Sequence, residues 1–358
     1  MDFTKNINLS TEKTTNTLIF LWEPVDSGCR LLRCFGNSPI LNIPDMIEGK
    51  EITEIGAYCF SRSRPRFPEK IYKTIFIDIN NQETSVEDGQ TFNQKYFDFS
   101  AFGTELDGTF LEEVTLPDSV TTLHNAAFYN CRKLRKLSVG TKISGIGSDE
   151  FMNDSRLEHL IIRGKDSEST GLSLILERIA ENITVTFCPD SSLLPESILF
   201  FPEYYEWLDE ISPAHIFSRS IHGEGFRMRK SFENGILDYR KYDSCFENAL
   251  TVESPESLCK IALNRLRWPS RLENVFREKY ENVIKKYMDT AFALAIKEQD
   301  FPSLEFICEH FSPDASALST AIDLCIEKEW GEGNAFLIEA KHKTFSQKTF
   351  DFDFDLDF

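Results

Sequence analysis

Three segments of the chain superpose at a spacing of 23 residues. Val114, Thr115 and Leu116 recur as Leu137, Ser138 and Val139, and again as Leu160, Ile161 and Ile162. Val120 and Leu123 recur as Ile143 and Ile146, Phe128 as Phe151, Cys131 as Asp154, and Leu134 as Leu157. A fixed period of this length specifies a solenoid, because no single unit can bury its apolar face without a neighbour stacked on it. The same spacing occurs upstream, where Ile52, Ile55 and Phe60 match Val120, Leu123 and Phe128 position for position. Residues 61–110 interrupt the pattern. Within them Ile75–Ile77 reads as a strand, Arg62–Pro68 and Asn80–Gly89 read as loops, and Phe92, Phe97, Phe99 and Phe102 are candidate core positions of irregular coils.

Each coil opens on alternating β-branched or leucine residues, which is strand chemistry, and Pro117 ends the pairing. Asn125–Asn130 reads as a short turn that drops Phe128 inward. The chain holds 31 phenylalanines, and their fixed place in the coil assigns much of that aromatic content to core. Gly28–Gly36 reads as an N-terminal capping strand. Helical periodicity over Leu172–Glu181 and a strand over Ile183–Phe187 read as the C-terminal cap that a solenoid's last coil requires.

From about residue 192 the apolar spacing becomes helical. Helices are expected around Pro202–Trp207, from Ser254 to Leu266 with Ser254 as cap and Pro255 in the first turn, and from Arg271 to about Tyr287. Two hairpin-like units follow, Ala291–Phe311 and Ala317–Phe345, with Leu304–Ile307 overlying Ala335–Ile338 at an offset of 31. The expected organisation is therefore α+β. A repeat domain with both caps spans 1–189, an all-α domain of helical hairpins spans 190–345, and an acidic–aromatic tail occupies 346–358.

Nine scattered cysteines without a CxxC pair indicate a reducing compartment and buried thiols rather than a disulfide framework. No two His or Cys pairs at zinc-ligand spacing are present to make up a four-ligand set, so no metal is expected. The first apolar run, Leu18–Trp22, is too short for a signal peptide core or a membrane span, so a cytoplasmic protein is expected. A net charge of −19 argues against double-stranded nucleic acid or an anionic membrane as partner. Residues 219–286 reverse that balance, with 14 Lys and Arg against 10 Asp and Glu.

The run from Leu111 to Leu134, with Pro117, Ser119, Val120, Ala127, Phe128 and Cys131 in place, resembles the BspA-type leucine-rich repeat. Ile43-Pro44, Gly49-Lys50, Ile52, Ile55-Gly56 and Phe60 are similar to that family's usual first repeat. The resemblance implies a leucine-rich-repeat solenoid without enzymatic activity, and the better-known members are bacterial surface adhesins. The segments His222–Arg229, Tyr242-Asp243 and Leu263–Leu266 resemble a helical module that accompanies such repeats in some bacterial proteins.

The strongest candidate site is His222, Gly223, Gly225, Arg227, Arg229 and Lys230, where two glycines could present backbone N–H groups and three cations could hold a phosphate or carboxylate. Met228 stands where a dinucleotide fingerprint needs its third glycine. The tail from Phe350 to Phe358 alternates aromatic and acidic residues, so as a strand it would place Phe350, Phe352, Phe354 and Phe358 on one docking face. No GxSxG, HExxH or Cys–His arrangement is present, so neither catalytic residues nor a cofactor is expected. The resulting expectation is a protein-interaction scaffold of unknown partner. A small-molecule or nucleotide-sensing module centred on Gly223–Lys230 is the first alternative, and a bacterial surface adhesin the second.

Overall fold

The computed structural model describes residues 17–63, 67–68, 70–77, 83–91, 102–189, 195–211 and 216–350. The chain divides into two units, 1–157 and 158–358.

In the first unit, β1 (Thr17–Val25) and β2 (Gly28–Phe35) form an antiparallel hairpin. The coils start with β3 (Ile40–Asn42), β4 (Met46–Ile47) and β5 (Lys50–Ile55). After an excursion containing β6 (Lys70–Ile77) and β7 (Glu83–Thr91), they resume with β8 (Glu113–Thr115), β9 (Thr122–Leu123), β10 (Lys136–Val139) and β11 (Gly145–Ile146). Two parallel ladders result. One runs β3–β8–β10, pairing Leu41 with Val114 and Val114 with Leu137. The other runs β5–β9–β11, pairing Ile55 with Leu123 and Leu123 with Ile146. The second ladder continues through β2, β1, β6 and β7, so the N-terminal hairpin closes one side of the coils.

Identical side chains at identical rungs hold the stack. Phe60, Phe128 and Phe151 are buried, with ring centroids 4.8 and 5.5 Å apart and nearly parallel planes. Between them the backbone is paired from coil to coil: Phe60 N–H donates to Ala127 O at 2.8 Å and Phe128 N–H to Glu150 O at 3.2 Å. Asn153 Nδ2 donates to Asn130 Oδ1 at 2.9 Å, repeating the polar side of the rung. Where Cys131 becomes Asp154, the buried carboxylate accepts the Cys131 N–H at 2.7 Å. The change of residue type therefore satisfies a backbone donor of the preceding coil.

The excursion leaves the coils after Phe60 and returns at Gly108, whose N–H donates to Phe60 O at 2.8 Å. Corresponding residues are therefore 68 apart across it, as in Thr121 and Thr53, but 23 apart afterwards, as in Asn153 and Asn130. The strand expected at Ile75–Ile77 is the end of β6. The loop expected at Asn80–Gly89 is corrected: from Glu83 onward the chain forms β7, paired antiparallel with β6. Phe102 packs edge-on against Phe35 at 5.3 Å. Phe92, Phe97 and Phe99 lie outside the described residues.

The second unit begins with β12 (His159–Ile162), α1 (Leu172–Leu176), β13 (Ile183–Phe187) and β14 (Ser197–Phe201). β13 pairs parallel with β12, and β14 then pairs antiparallel with β13, ending the parallel order. Next come a hairpin of β15 (Tyr205–Ile211) and β16 (Ile216–His222), the single turn α2 (Gly225–Met228), and the short pair β17 (Phe232–Glu233) and β18 (Ile236–Leu237). The helical run is α3 (Tyr239–Val252), α4 (Pro255–Arg267), α5 (Asn274–Lys286), α6 (Met288–Glu298), α7 (Phe301–Phe311), α8 (Ala315–Glu327) and α9 (Gly331–Phe350). Side-chain caps start four of these helices: Asp238, Ser254, Asp300 and Asp314 each accept a backbone N–H three residues on.

Two helical expectations need correction. Pro202–Trp207 is not a helix; its last residues open β15. The overlay of the last two hairpins is one residue shorter than the apolar pattern suggested. Ile307 is buried, but Ile338 is 41% exposed and Leu337 takes the buried position. The side chain of Phe350 and the stretch Asp351–Phe358, which includes Phe352, Phe354 and Phe358, lie outside the described residues.

All nine cysteines are unpaired and six are buried. Burial pushes the thiols of Cys29 and Cys245 up to about 11 and those of Cys259 and Cys308 up to about 12. A thiol reacts as thiolate, so alkylation of the native protein at pH 8 is expected to be slow at these four cysteines. It should become rapid once the chain is unfolded. A fast-reacting thiol among these four in the folded protein, located by mass spectrometry, would contradict this arrangement.

Candidate functional site

The His222–Lys230 segment owes its shape to close backbone approach. Gly223 has a φ of +92°, and a Cβ there would lie 2.6 Å from Glu203 O. At Gly225 an added Cβ would lie 1.9 Å from Pro202 O, so only glycine lets α2 sit against the end of β14. Both glycines thus serve chain packing.

The three cations of the segment go to different places. Arg229 turns inward and is buried, donating to Pro202 O at 2.5 Å, Gly225 O at 3.0 Å and Glu181 O at 2.6 Å. Its guanidinium also lies 5.2 Å from the Tyr204 ring centroid, and burial lowers its pKa to about 10. Lys230 extends to Glu177 at 2.8 Å, and Arg227 is exposed, 3.8 Å from Glu224 Oε2. No common anion cradle forms from these three groups. The surplus of positive charge over 219–286 is consumed in pairs with acids outside that stretch, including Lys260 with Glu298, Arg267 with Asp300 and Arg271 with Asp166.

A cleft of about 1100 Å³ opens beside this segment. His222, Gly223 and Arg227 line it; Gly225, Arg229 and Lys230 do not. Its other walls come from Tyr205 and Ile221 of the β15–β16 hairpin, Asn248, Thr251 and Val252 of α3 with Glu253 just after it, and the start of α4 at Glu256 and Ser257. The character of this cleft is acidic. Glu203, Glu224, Glu253 and Glu256 face it, against the single arginine Arg227. Glu253 Oε1 accepts the Glu224 backbone N–H at 2.7 Å, which fixes the two carboxylates as neighbours. Burial raises the Glu224 carboxyl above the usual range despite the opposing pull of Arg227, and burial likewise raises that of Glu253.

The acids were missed by sequence reasoning because they come from four separate positions in the chain. The available signal was Glu224 itself, enclosed by Gly223 and Gly225 in a segment read only for its cations. The other segments that carried the helical-module resemblance form the interior of the second unit. Tyr242 Oη donates to Phe200 O at 2.6 Å. Arg265 holds Asp243 through two bonds of 2.8 and 2.9 Å, and Tyr280 Oη donates to the same carboxylate at 2.7 Å. Asp166 receives the hydroxyls of Tyr239 and Ser270 at 2.6 and 2.7 Å.

Among the described residues no group of three or more His, Cys, Asp or Glu side chains is placed to hold a metal ion. No helix among them is long and apolar enough to cross a membrane.

Residues 69–174 match the BspA type leucine rich repeat region, in six copies. The match includes the coils from Leu111 onward and starts after Phe60, so the coil at Ile40–Phe60 rests on its parallel pairing with β8 and β9. No curated protein and no solved structure matches the chain.

Proposed function

Since residues 69–174 are a BspA-type leucine-rich-repeat region, we propose that the chain is a non-enzymatic protein–protein interaction scaffold whose coil stack presents one strand face to a partner. The observation that carries this reading is the β3–β8–β10 ladder. Its outward positions alternate with the buried Leu41, Val114 and Leu137, and they place Ile40, Asn42, Glu113, Thr115 and Lys136 on one side at fixed spacing. Ile40 is 49% exposed, and Glu113 and Lys136 form a surface ion pair at 2.5 Å. A rigid, regularly spaced strand face suits an extended protein surface better than a small molecule. The nine unpaired cysteines support a reducing, cytoplasmic setting.

The test is affinity capture from native lysate with the purified chain and with Ile40→Asp/Lys136→Glu, quantified by mass spectrometry. At least one protein should be captured by the natural chain and reduced about tenfold by the double variant, equivalent to about 1.4 kcal/mol. Equal capture by both chains, or no specific capture, would refute the strand face as the partner surface.

A further inference from the structure

We infer that the outer face of the α8–α9 hairpin is a self-association surface, on which a second copy of this chain docks its own α8–α9 hairpin across a two-fold axis. The inference goes beyond the strand-face reading and uses a different part of the molecule.

The helical run contains a repeat of its own. Gln299 and Glu329, 30 residues apart, turn the chain out of α6 and α8 with the same left-handed backbone, φ +50° and +54°. The bonds that close the two helices also match: Asp300 N–H donates to Ala295 O and Trp330 N–H to Cys325 O, both at 2.9 Å. Ala291 and Ala321, Ala295 and Cys325, Ser303 and Gly333, and Ile307 and Leu337 are buried in both hairpins.

One set of positions breaks the match. Ile296 is 1% exposed, but its counterpart Ile326 is 59% exposed. Phe292 and Leu294 are buried, whereas Ile322 and Leu324 are half-buried. On α9, Ile338 is exposed where Cys308 of α7 is half-buried. The cause is position in the stack. α6 packs against α4 before it and α8 after it, while α8 packs against α6 and, among the described residues, has no hairpin after it. Burial lost at these positions therefore marks the face on which a following hairpin would sit. A repeat array exposed to water ends on a polar outer face. Isoleucines stand here instead.

The occupant follows from the same stack. The open face carries, at matching positions, the residue types that α6 presents to a helical hairpin of this chain, so a helical hairpin fits it. In a second copy α6–α7 is not free to serve, since α4 and α8 enclose α6. The face of the copy left open for such stacking is that of α8–α9, which gives a closed, isologous pair rather than a filament. Charges of both signs accompany the isoleucines, Glu327 with Lys328 and Glu339 with Lys343, so the face can meet its own copy without a field of one sign opposing it.

Sedimentation equilibrium of the purified full chain at micromolar concentrations tests this. The mass should rise with concentration from that of one chain toward that of two. Ile326→Asp, which puts a carboxylate into the apolar contact, should weaken dimerisation at least about tenfold. Leu208→Asp, on the β15–β16 hairpin at a position 66% exposed, should leave it unchanged. Circular dichroism confirms the fold of each variant, and Ile326→Ala, a milder change on the same face, keeps the test open if Ile326→Asp disturbs α8. A chain that stays monomeric, a dimer untouched by both Ile326 variants, or a dimer dissolved by Leu208→Asp would overturn the proposal. So would a chain ending at Phe350 that dimerises when the full chain does not, since that assigns the face to residues 351–358. None of these readouts involves the β3–β8–β10 face, so failure here is separable from failure of the strand-face reading.

Discussion

Phe128→Asp is expected to unfold the coils of the first unit in one cooperative step. Phe128 is fully buried and is the middle ring of three, stacked against Phe60 on one side and Phe151 on the other. Truncating a buried phenylalanine costs about 3–5 kcal/mol through lost burial and the cavity left behind. A carboxylate there adds the desolvation of a charge with no partner, and the total rivals the whole stability of a domain, about 5–15 kcal/mol. Phe128→Leu, which keeps most of the volume, should cost much less. Hydrogen exchange read by mass spectrometry over 111–157 is the measurement. Natural-like protection in Phe128→Asp would show that the ring is not the stack's keystone.

Arg265→Ala is the second large effect, expected to cost the second unit about 3–5 kcal/mol in urea unfolding followed by helical circular dichroism. Arg265 and Asp243 are both buried and joined by two bonds, and the guanidinium also donates to Trp268 O and Ser270 O and lies 4.5 Å from the Tyr239 ring centroid. Removing it leaves Asp243 as a buried carboxylate supported by the Tyr280 hydroxyl. Replacing both partners by apolar residues, as in Asp243→Leu/Arg265→Met, should cost less than Arg265→Ala, because no lone charge stays behind. A double variant weaker than the single would mean that the lone charge left on Asp243 is not what makes Arg265→Ala costly.

The coils were legible because their chemistry is local and periodic. Val114 and Phe128 recur as Leu137 and Phe151 with burial kept at each rung, and Leu123 recurs as the half-buried Ile146. The β15–β16 hairpin was not legible. Tyr205 to Asp209 are all exposed, so no alternation of buried and exposed positions accompanies the strand, and the short mixed run passed for a helix. The offset of the last two hairpins slipped by one residue because Ile338 is apolar yet exposed. At the candidate segment the sequence reading weighed the cations and passed over the acids beside them. Arg229 looked available, but three carbonyls and an aromatic ring claim it. The acids that define the cleft are brought together only by folding.

The return of the chain from Gly108 to Phe60 has a consequence for variation in length. From Thr53 to Met152 the coil stack has a reading frame: the donors that join coils, such as those of Thr121, Ala126, Phe128 and Asn130, pair with residues one coil away, so a single-residue insertion between Glu113 and Leu134 acts as a structural frameshift on every rung after it. The excursion lies outside that frame. Since it departs and re-enters at neighbouring atoms, its own length does not set the register of the coils, although Thr104 and Leu106 are bonded to Gly36 and Cys34. The first unit thus combines a segment whose length is fixed in whole coils with one whose length is free.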